Sequence, residues 1–460
     1  MIPIDSLPDD ILLEIFGFYS EGIHFAEPGN EPWFALIRVC RRWRAVVFQS
    51  PRRLGLRLHC SHKTPAMSLL DVWPPLPLSI SNWSDIFWED ITKGIENIVA
   101  ALEHSDRVDN IELNNLTSSH LETILALMQV PLPNLVFLQL HSTEPVPVVP
   151  ESFLGGSAPN LQTLSFRGIP FLALPKLLLS STLLVRLDLT DIPHSGYISP
   201  EVMVTTLALL TSLESLSLGF LSFPDFPDQE NQRPSPLTLT VLPVLTSLTF
   251  RGASDYLEDL VTRIDAPQLD WLYVTFSYDS VFDIPQFIEF ISRTPTLEPL
   301  DGAYLNFGEN LAIVEFSPHL GVNITCSELE RQVTSMEQVC TWCLPFLSTV
   351  EDLTLYEDPW IDIPWPHPLH HVMPWPDLLH PFITVKNLYL SKGVAPHIAS
   401  ALQELAGDGM TEVLPTLQNI FLEGFQLSGP APEGIQHFVA SRQVTNLPVT
   451  VSLWDISNNQ

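Results

Sequence analysis

Along most of the chain the apolar residues recur in one short phrase, Leu-x-x-Leu-x-Leu, with Ile, Val or Phe sometimes replacing Leu. Copies begin at Val108 (VDNIEL), Leu135 (LVFLQL), Leu161 (LQTLSF), Leu184 (LVRLDL), Leu213 (LESLSL), Leu245 (LTSLTF) and Leu269 (LDWLYV). Later copies begin at Val350 (VEDLTL), Val385 (VKNLYL) and Leu417 (LQNIFL). The alternation at the end of each phrase has the period of a β-strand, so the fourth and sixth residues should face a core and the third, fifth and seventh should face outward. Between the phrases, 118–129 (SSHLETILALMQ), 199–210 (SPEVMVTTLALL) and 254–264 (SDYLEDLVTRI) place apolar residues at three- and four-residue intervals. That spacing predicts helices, with Ser118, Ser199 and Ser254 as N-caps.

Successive phrases from 108 to 269 start 27, 26, 23, 29, 32 and 24 residues apart. Leucine-rich repeats recur at about 20–29 residues. In several copies a proline stands two residues ahead of the first apolar position: Pro133, Pro159, Pro243, Pro267 and Pro415. Proline ends a preceding helix and begins an extended segment at little cost. A short strand followed by a helix, repeated, stacks into an α/β leucine-rich-repeat solenoid with a curved parallel sheet on its concave side. The repeats are degenerate. The Asn that usually follows the third Leu is mostly absent, so the consensus Asn ladder should not form. Pro299 breaks the copy at Leu297, and 300–330 reads as degenerate repeats. Pro-rich loops interrupt at 143–150, 222–236 and 358–376.

Function on such a solenoid sits on exposed strand positions and loops. The outward strand positions are Phe137, Gln139, His141, Arg167, Arg186, Asp188, Arg251, Trp271, Tyr273, Tyr356, Tyr389 and Phe421. Aromatics mixed with Arg have the composition of protein-binding hot spots, which makes these twelve the substrate-binding candidates.

The first fifty residues follow a different pattern. LPDDILLEIF runs from Leu7, and WFALIRVCRRWRAVVFQSP runs from Trp33. Pro8, Asp9 and Asp10 suit a helix start, and Ile11, Leu12, Ile15, Phe16 and Tyr19 then fall on one broad face. Three short helices cannot bury this much apolar surface among themselves, and the remainder suits a partner. The order Leu7-Pro8-x-Asp10 with Ile15 five residues on, followed by Val39-Cys40-Arg41-x-Trp43, resembles the F-box consensus. Segments 70–80, 348–358, 382–391 and 414–424 are similar to an expanded group of fungal F-box proteins. The resemblance implies docking on a Skp-family adaptor, and through it on a cullin, by Leu7, Pro8, Ile11, Ile15, Val39, Cys40 and Trp43. It also implies a non-catalytic, substrate-recruiting subunit of a Skp-cullin-F-box type ubiquitin ligase. The alternative is a scaffold that binds partners without ubiquitin transfer. The resulting domains are an F-box at 5–52, a connecting segment at 53–75 and a solenoid at 76–456.

Charge narrows the partners. Seven Arg and seven acids balance within residues 1–60, and the rest of the 460-residue chain carries 14 basic against 46 acidic residues. Such a field repels nucleic acid and anionic lipid, and favours a basic protein substrate. Five scattered Cys imply no disulfide framework, and the acidic N-terminus lacks a signal-peptide pattern, so a cytosolic or nuclear protein is expected. No nucleotide-binding or hydrolase motif occurs, and no cofactor is expected. Cys340-x-x-Cys343 is a lone pair in an apolar context and reads as buried thiols. His367, His370, His371 and His380 lie in a Trp- and Pro-rich loop whose Trp360, Trp365 and Trp375 should pin it to the solenoid. A metal-binding protein built on 367–380 is the weaker alternative.

Overall fold

A computed structural model describes residues 4, 7–21, 32–51, 54–61, 70, 73–82, 94–144, 148–221, 239–277, 283–297, 302–343, 347–357, 374–405, 413–423 and 432–454. The chain divides into two compact units. One comprises Met1–Ile198, Thr205–Leu213 and Phe220–Pro224, and the other Ser199–Val204, Glu214–Gly219 and Asp225–Gln460.

The first unit opens with three helices, α1 (Asp9–Glu21), α2 (Pro32–Val39) and α3 (Arg41–Gln49). Asp9 and Asp10 lie in the first turn of α1, where the helix dipole favours negative charge. Leu12 and Phe16 turn inward and are buried, with Trp33, Phe34, Ile37, Val46 and Val47. The Phe16 ring lies 4.7 Å from that of Trp43. Trp73, further along the chain, closes the aromatic core: its ring is 5.0 Å from Phe34, 5.5 Å from Trp33 and 6.4 Å from Phe48.

Six parallel strands follow: β1 (Leu58–Ser61), β2 (Leu78–Ser81), β3 (Val108–Leu116), β4 (Phe137–Ser142), β5 (Thr163–Arg167) and β6 (Arg186–Ile192). The sheet thus begins at Leu58, inside the stretch read from sequence as a connecting segment. Register stacks the inward positions into columns, Cys60–Ile80–Ile111–Leu138–Leu164–Leu187 and Leu113–Leu140–Phe166–Leu189, all buried. Burying each Leu contributes about 2 kcal/mol, so a one-residue register slip that turned a column to solvent would be heavily penalised.

The second unit contains β7 (Ser215–Phe220), β8 (Thr240–Val241), β9 (Ser247–Gly252), β10 (Ile264–Asp265), β11 (Trp271–Ser277), β12 (Gly302–Phe307), β13 (Leu311–Ser317), β14 (Leu320–Thr325), β15 (Asp352–Glu357), β16 (Asn387–Leu390), β17 (Asn419–Glu423) and β18 (Thr450–Trp454). Its sheet order is β7-β9-β11-β14-β13-β12-β15-β16-β17-β18, and β8 pairs with β10 apart from it. The stretch 300–330 is therefore not a run of degenerate repeats. β12, β13 and β14 form an antiparallel meander whose outer strands pair in parallel with β15 and β11.

Two predicted helix starts are corrected. The helix Ser118–Leu127 is capped by Thr117, whose side chain accepts from the His120 N–H, while the Ser118 N–H donates to Glu144. Ala253 precedes Ser254, which is buried in the first turn of its helix. Ser199 does cap: its Oγ accepts from the Val202 N–H at 3.4 Å.

The consensus Asn ladder is replaced by other hydrogen bonds between repeats. The residue just ahead of the first apolar position reaches back to a carbonyl at, or two residues before, the start of the previous copy: Asn134 to Asp106, Asn160 to Pro133, Thr384 to Val350 and Thr416 to Val385. A second ladder runs across the strand starts. Asn387 Nδ2 donates to Asp352 Oδ1 at 2.6 Å, Asn419 Nδ2 to Asn387 Oδ1 at 2.8 Å, and Thr450 Oγ1 to Asn419 Oδ1 at 2.5 Å. No helix among the described residues is long and apolar enough to cross a membrane.

Candidate functional site

Two surfaces carry the candidate chemistry. The first lies on the N-terminal helices. The broad apolar face expected of α1 splits in two. Leu12 and Phe16 are covered, whereas Ile11 (44% exposed), Ile15 (40%), Phe18 (75%) and Tyr19 face outward. These four sit at i, i+4, i+7 and i+8, a single stripe of about 100°. Phe18, the most exposed of them, was not singled out from sequence; its place at i+3 from Ile15 was the available signal. Val39, ending α2, is 58% exposed. Pro8 is exposed, while Leu7, Cys40 and Trp43 are half-buried.

Each of the last three has a positional role. Arg42 grips the start of α1, with Nη2 donating to Asp9 Oδ1 at 2.6 Å and to the Leu7 carbonyl at 2.5 Å. That fixes Leu7 and Pro8 beside the helix they precede. Cys40 caps α3, its sulfur accepting from the Trp43 N–H. Trp43 lies against Phe16, so it supports the stripe from beneath.

The second surface is the outward side of the sheet. None of the twelve candidates predicted there is buried. In the first unit Phe137 is in register with Thr163 and Arg186, Gln139 with Ser165 and Asp188, and His141 with Arg167 and Thr190. This face is polar and largely satisfied. Arg167 pairs with Asp191 at 2.7 Å, Arg57 with Asp109 at 2.6 Å, and Gln139 donates to Asn114. Burial, helped by the Arg167 charge, holds the His141 imidazole below its ordinary range.

In the second unit one row crosses the sheet in register: Thr249, Tyr273, Gly321, Glu315, Tyr304, Thr354, Tyr389, Phe421 and Ser452. Trp271 stacks on Tyr273 at 4.8 Å, and Tyr389 stacks on Phe421 at 4.5 Å with the rings 10° apart. Trp454 meets Tyr389 edge-on at 5.3 Å. The Tyr273 hydroxyl lies 3.4 Å from Glu315 Oε1 and 3.2 Å from the Pro318 carbonyl. Burial and the facing Glu315 push the Tyr273 phenol up to about 12. Burial also raises the Glu315 carboxyl, although the Tyr273 hydrogen bond opposes that. Tyr304 (47% exposed) and Glu315 belong to the antiparallel meander, which follows no repeat phrase, and so neither was found from sequence. Arg251 and Tyr356 flank this row two positions further along their strands.

Cys340 and Cys343 are buried, and burial drives both thiols far above their ordinary range. His367, His370, His371, Trp360 and Trp365 lie outside the described residues, whereas His380 is exposed. Trp375 is buried, 5.3 Å from the Phe307 ring. Among the described residues no group of three or more His, Cys, Asp or Glu could hold a metal ion.

Comparison with known proteins agrees with the N-terminal geometry: the F-box-like family matches residues 4–52. No curated protein matches the chain. A solved structure similar to it is the leucine-rich repeat-containing protein LegL7 from Legionella pneumophila, at 11% sequence identity and a TM-score of 0.28, covering 84% of this chain and 97% of that one. The F-box-like match thus falls on the three N-terminal helices, and the residues that follow alternate strands and helices in a largely parallel sheet interrupted by the β12-β13-β14 meander.

Proposed function

We propose that this chain is the substrate-recruiting subunit of a Skp-cullin-F-box type ubiquitin ligase. The observation that carries the reading is the stripe Ile11, Ile15, Phe18 and Tyr19, left outside a closed core on a helix of an F-box-like domain. Four neighbouring apolar side chains exposed on one short helix cost solvation unless a partner covers them. F-box domains generally bind Skp-type adaptors, and an amphipathic helix set into an apolar groove is a common mode of such recognition. The adaptor would link the chain to a cullin. The repeats would hold a protein where its lysines meet charged ubiquitin, in the cytosol or nucleus. Bond-making would reside in the partners, and this chain would contribute proximity alone.

The test is capture of a purified Skp-family adaptor by the intact chain and by Ile15→Asp. Ile15 is exposed, so the substitution should leave thermal unfolding unchanged while reducing capture by about a hundredfold or more. An adaptor that binds both chains equally, or binds neither, removes the ligase reading. Turnover of a bound protein separates a ligase from a scaffold that uses the same adaptor.

A further inference from the structure

The outward face of the second unit differs from the polar, ion-paired face of the first. It has stacked aromatics, and two partly buried carboxylates among them lack a cation. Glu315 lies between Tyr273 and Tyr304, and its one described polar partner is a phenol. Asp352 accepts from Asn387 and sits next to Tyr389. Among the described residues, no Lys, Arg or His lies within ion-pair distance of either carboxylate.

Basic residues are scarce in the neighbouring chain: Arg251 on β9 flanks the row two positions along its strand, and few others follow it. Residues 302–460 hold 17 acidic and four basic residues. Arg331 is paired with Glu328, Lys386 is paired with Glu351, and Arg442 is fully buried. Only Lys392 remains of the four.

We propose that Tyr273, Tyr304, Tyr389 and Phe421, around Glu315 and Asp352, bind an extended, arginine- or lysine-bearing segment of a protein partner. A guanidinium or ammonium over an aromatic face gains about 0.5–2 kcal/mol, more as water is excluded, and a carboxylate beside the ring adds a charge-assisted hydrogen bond. Seven strands carry the row from Tyr273 to Phe421, and at the usual strand spacing it spans roughly 30 Å, the length of about nine extended residues. Nucleic acid, which could also use stacked aromatics, is disfavoured by the negative field. The proposal deepens the receptor reading by naming the chemistry of the recruited segment. Its test does not involve the adaptor.

The probe is a fluorescent peptide of about nine residues alternating arginine and serine, a length set by strand spacing, titrated by anisotropy into the full chain. A counterpart with citrulline for arginine keeps the shape and removes the charge. Glu315→Gln/Asp352→Asn and Tyr304→Ala are compared with Glu330→Gln/Glu404→Gln, which removes two charges from exposed helix positions. At physiological ionic strength the face variants should each weaken arginine-peptide binding by about tenfold or more, and the control pair by less than about twofold. Equal weakening by the control pair, or equal binding of the citrulline peptide, overturns the proposal. A chain that captures the adaptor yet ignores the arginine peptide would keep the ligase reading and lose this one.

Discussion

The ring of Tyr273 lies over Gly321, in the space where a side chain at that position would stand. A Cβ on Gly321 would come within 2.7 Å of Tyr273 Cε1 and 3.3 Å of Cζ. The glycine therefore lets the Tyr273 phenol lie flat across β14 and reach Glu315 on β13. Gly321→Ala should destabilise the chain by about 1–3 kcal/mol through overpacking. In a Tyr273→Ala background the same substitution should cost little. Chemical denaturation of the four chains measures this coupling, and a cost independent of Tyr273 would show that the close approach does not matter.

The Asp352–Asn387–Asn419–Thr450 ladder ties four parallel strands together on the outward face. Asn387 is its shared member, donating to Asp352 and accepting from Asn419. Asn387→Ala should cost about 1–3 kcal/mol, because one substitution breaks two bonds. Asn387→Ala and Asn419→Ala together should cost less than the sum of the single variants, since they share a bond. Additive losses in urea unfolding would mean that the ladder does not act as one unit.

Most of the sheet was legible in the sequence because a two-residue period admits no halfway register. Once Leu138, Leu140, Leu164 and Phe166 face inward, Phe137, Gln139, His141 and Arg167 must face outward. Strand direction is another matter, since parallel and antiparallel strands alternate alike. The signal missed in 300–330 was connection length. Only residues 308–310 separate β12 from β13, and only 318–319 separate β13 from β14. Parallel neighbours need a crossover of a dozen or more residues, so links this short dictate a meander.

Helix starts and partner faces were less legible for local reasons. Thr117, Ser118 and Ser119 can all cap, and the choice of Thr117 depends on Glu144 meeting the Ser118 N–H. On α1, hydrophobicity marks Ile11, Leu12, Ile15 and Phe16 alike. Which of them stay uncovered depends on where α2 and α3 pack, and that in turn depends on Trp73, distant in sequence. The polar residues that replace the consensus Asn ladder stood in view at Asn134, Asn160, Thr384 and Thr416, one place before each phrase.

Arg442 is fully buried and holds the turn before β17, its guanidinium donating to the Leu414 and Pro415 carbonyls and lying 5.2 Å from the centre of the Phe438 ring. Leu414 there adopts a left-handed conformation, with φ at +48°. Arg442→Met should lower stability by about 1–3 kcal/mol, because the Pro415 carbonyl loses its guanidinium donor and the Leu414 carbonyl keeps only the Leu417 N–H, while similar volume is kept. Arg442→Lys should recover part of that at most, since one ammonium cannot reproduce the planar fork. Thermal unfolding that ranks lysine equal to arginine would contradict this role.

Glu258 makes one part of the fold respond to pH. Its carboxyl accepts from the Gln286 and Phe287 N–H groups at 2.9 and 2.8 Å, at the start of the helix Pro285–Ser292. Those bonds favour the ionised form, but desolvation outweighs them, and nearby Asp283 and Asp255 add to it, so the group is pushed up from 4.5 to about 7. Below 4.5 the carboxyl is protonated in both folded and unfolded chains, and its contribution to stability is complete. Between 4.5 and about 7 the unfolded chain releases a proton that the folded chain keeps, so stability from this group declines as pH rises. Above about 7 both states are ionised and the loss is complete. Glu258→Gln cannot titrate and still offers one acceptor oxygen to the helix. Thermal midpoints of both chains between about pH 5 and about pH 8 should therefore diverge in favour of the variant as pH rises. Parallel curves would mean that desolvation does not hold the folded carboxyl above its unfolded value. A wild type that instead loses stability relative to the variant as pH falls below about 5 would mean that the two backbone hydrogen bonds, rather than desolvation, govern the charge.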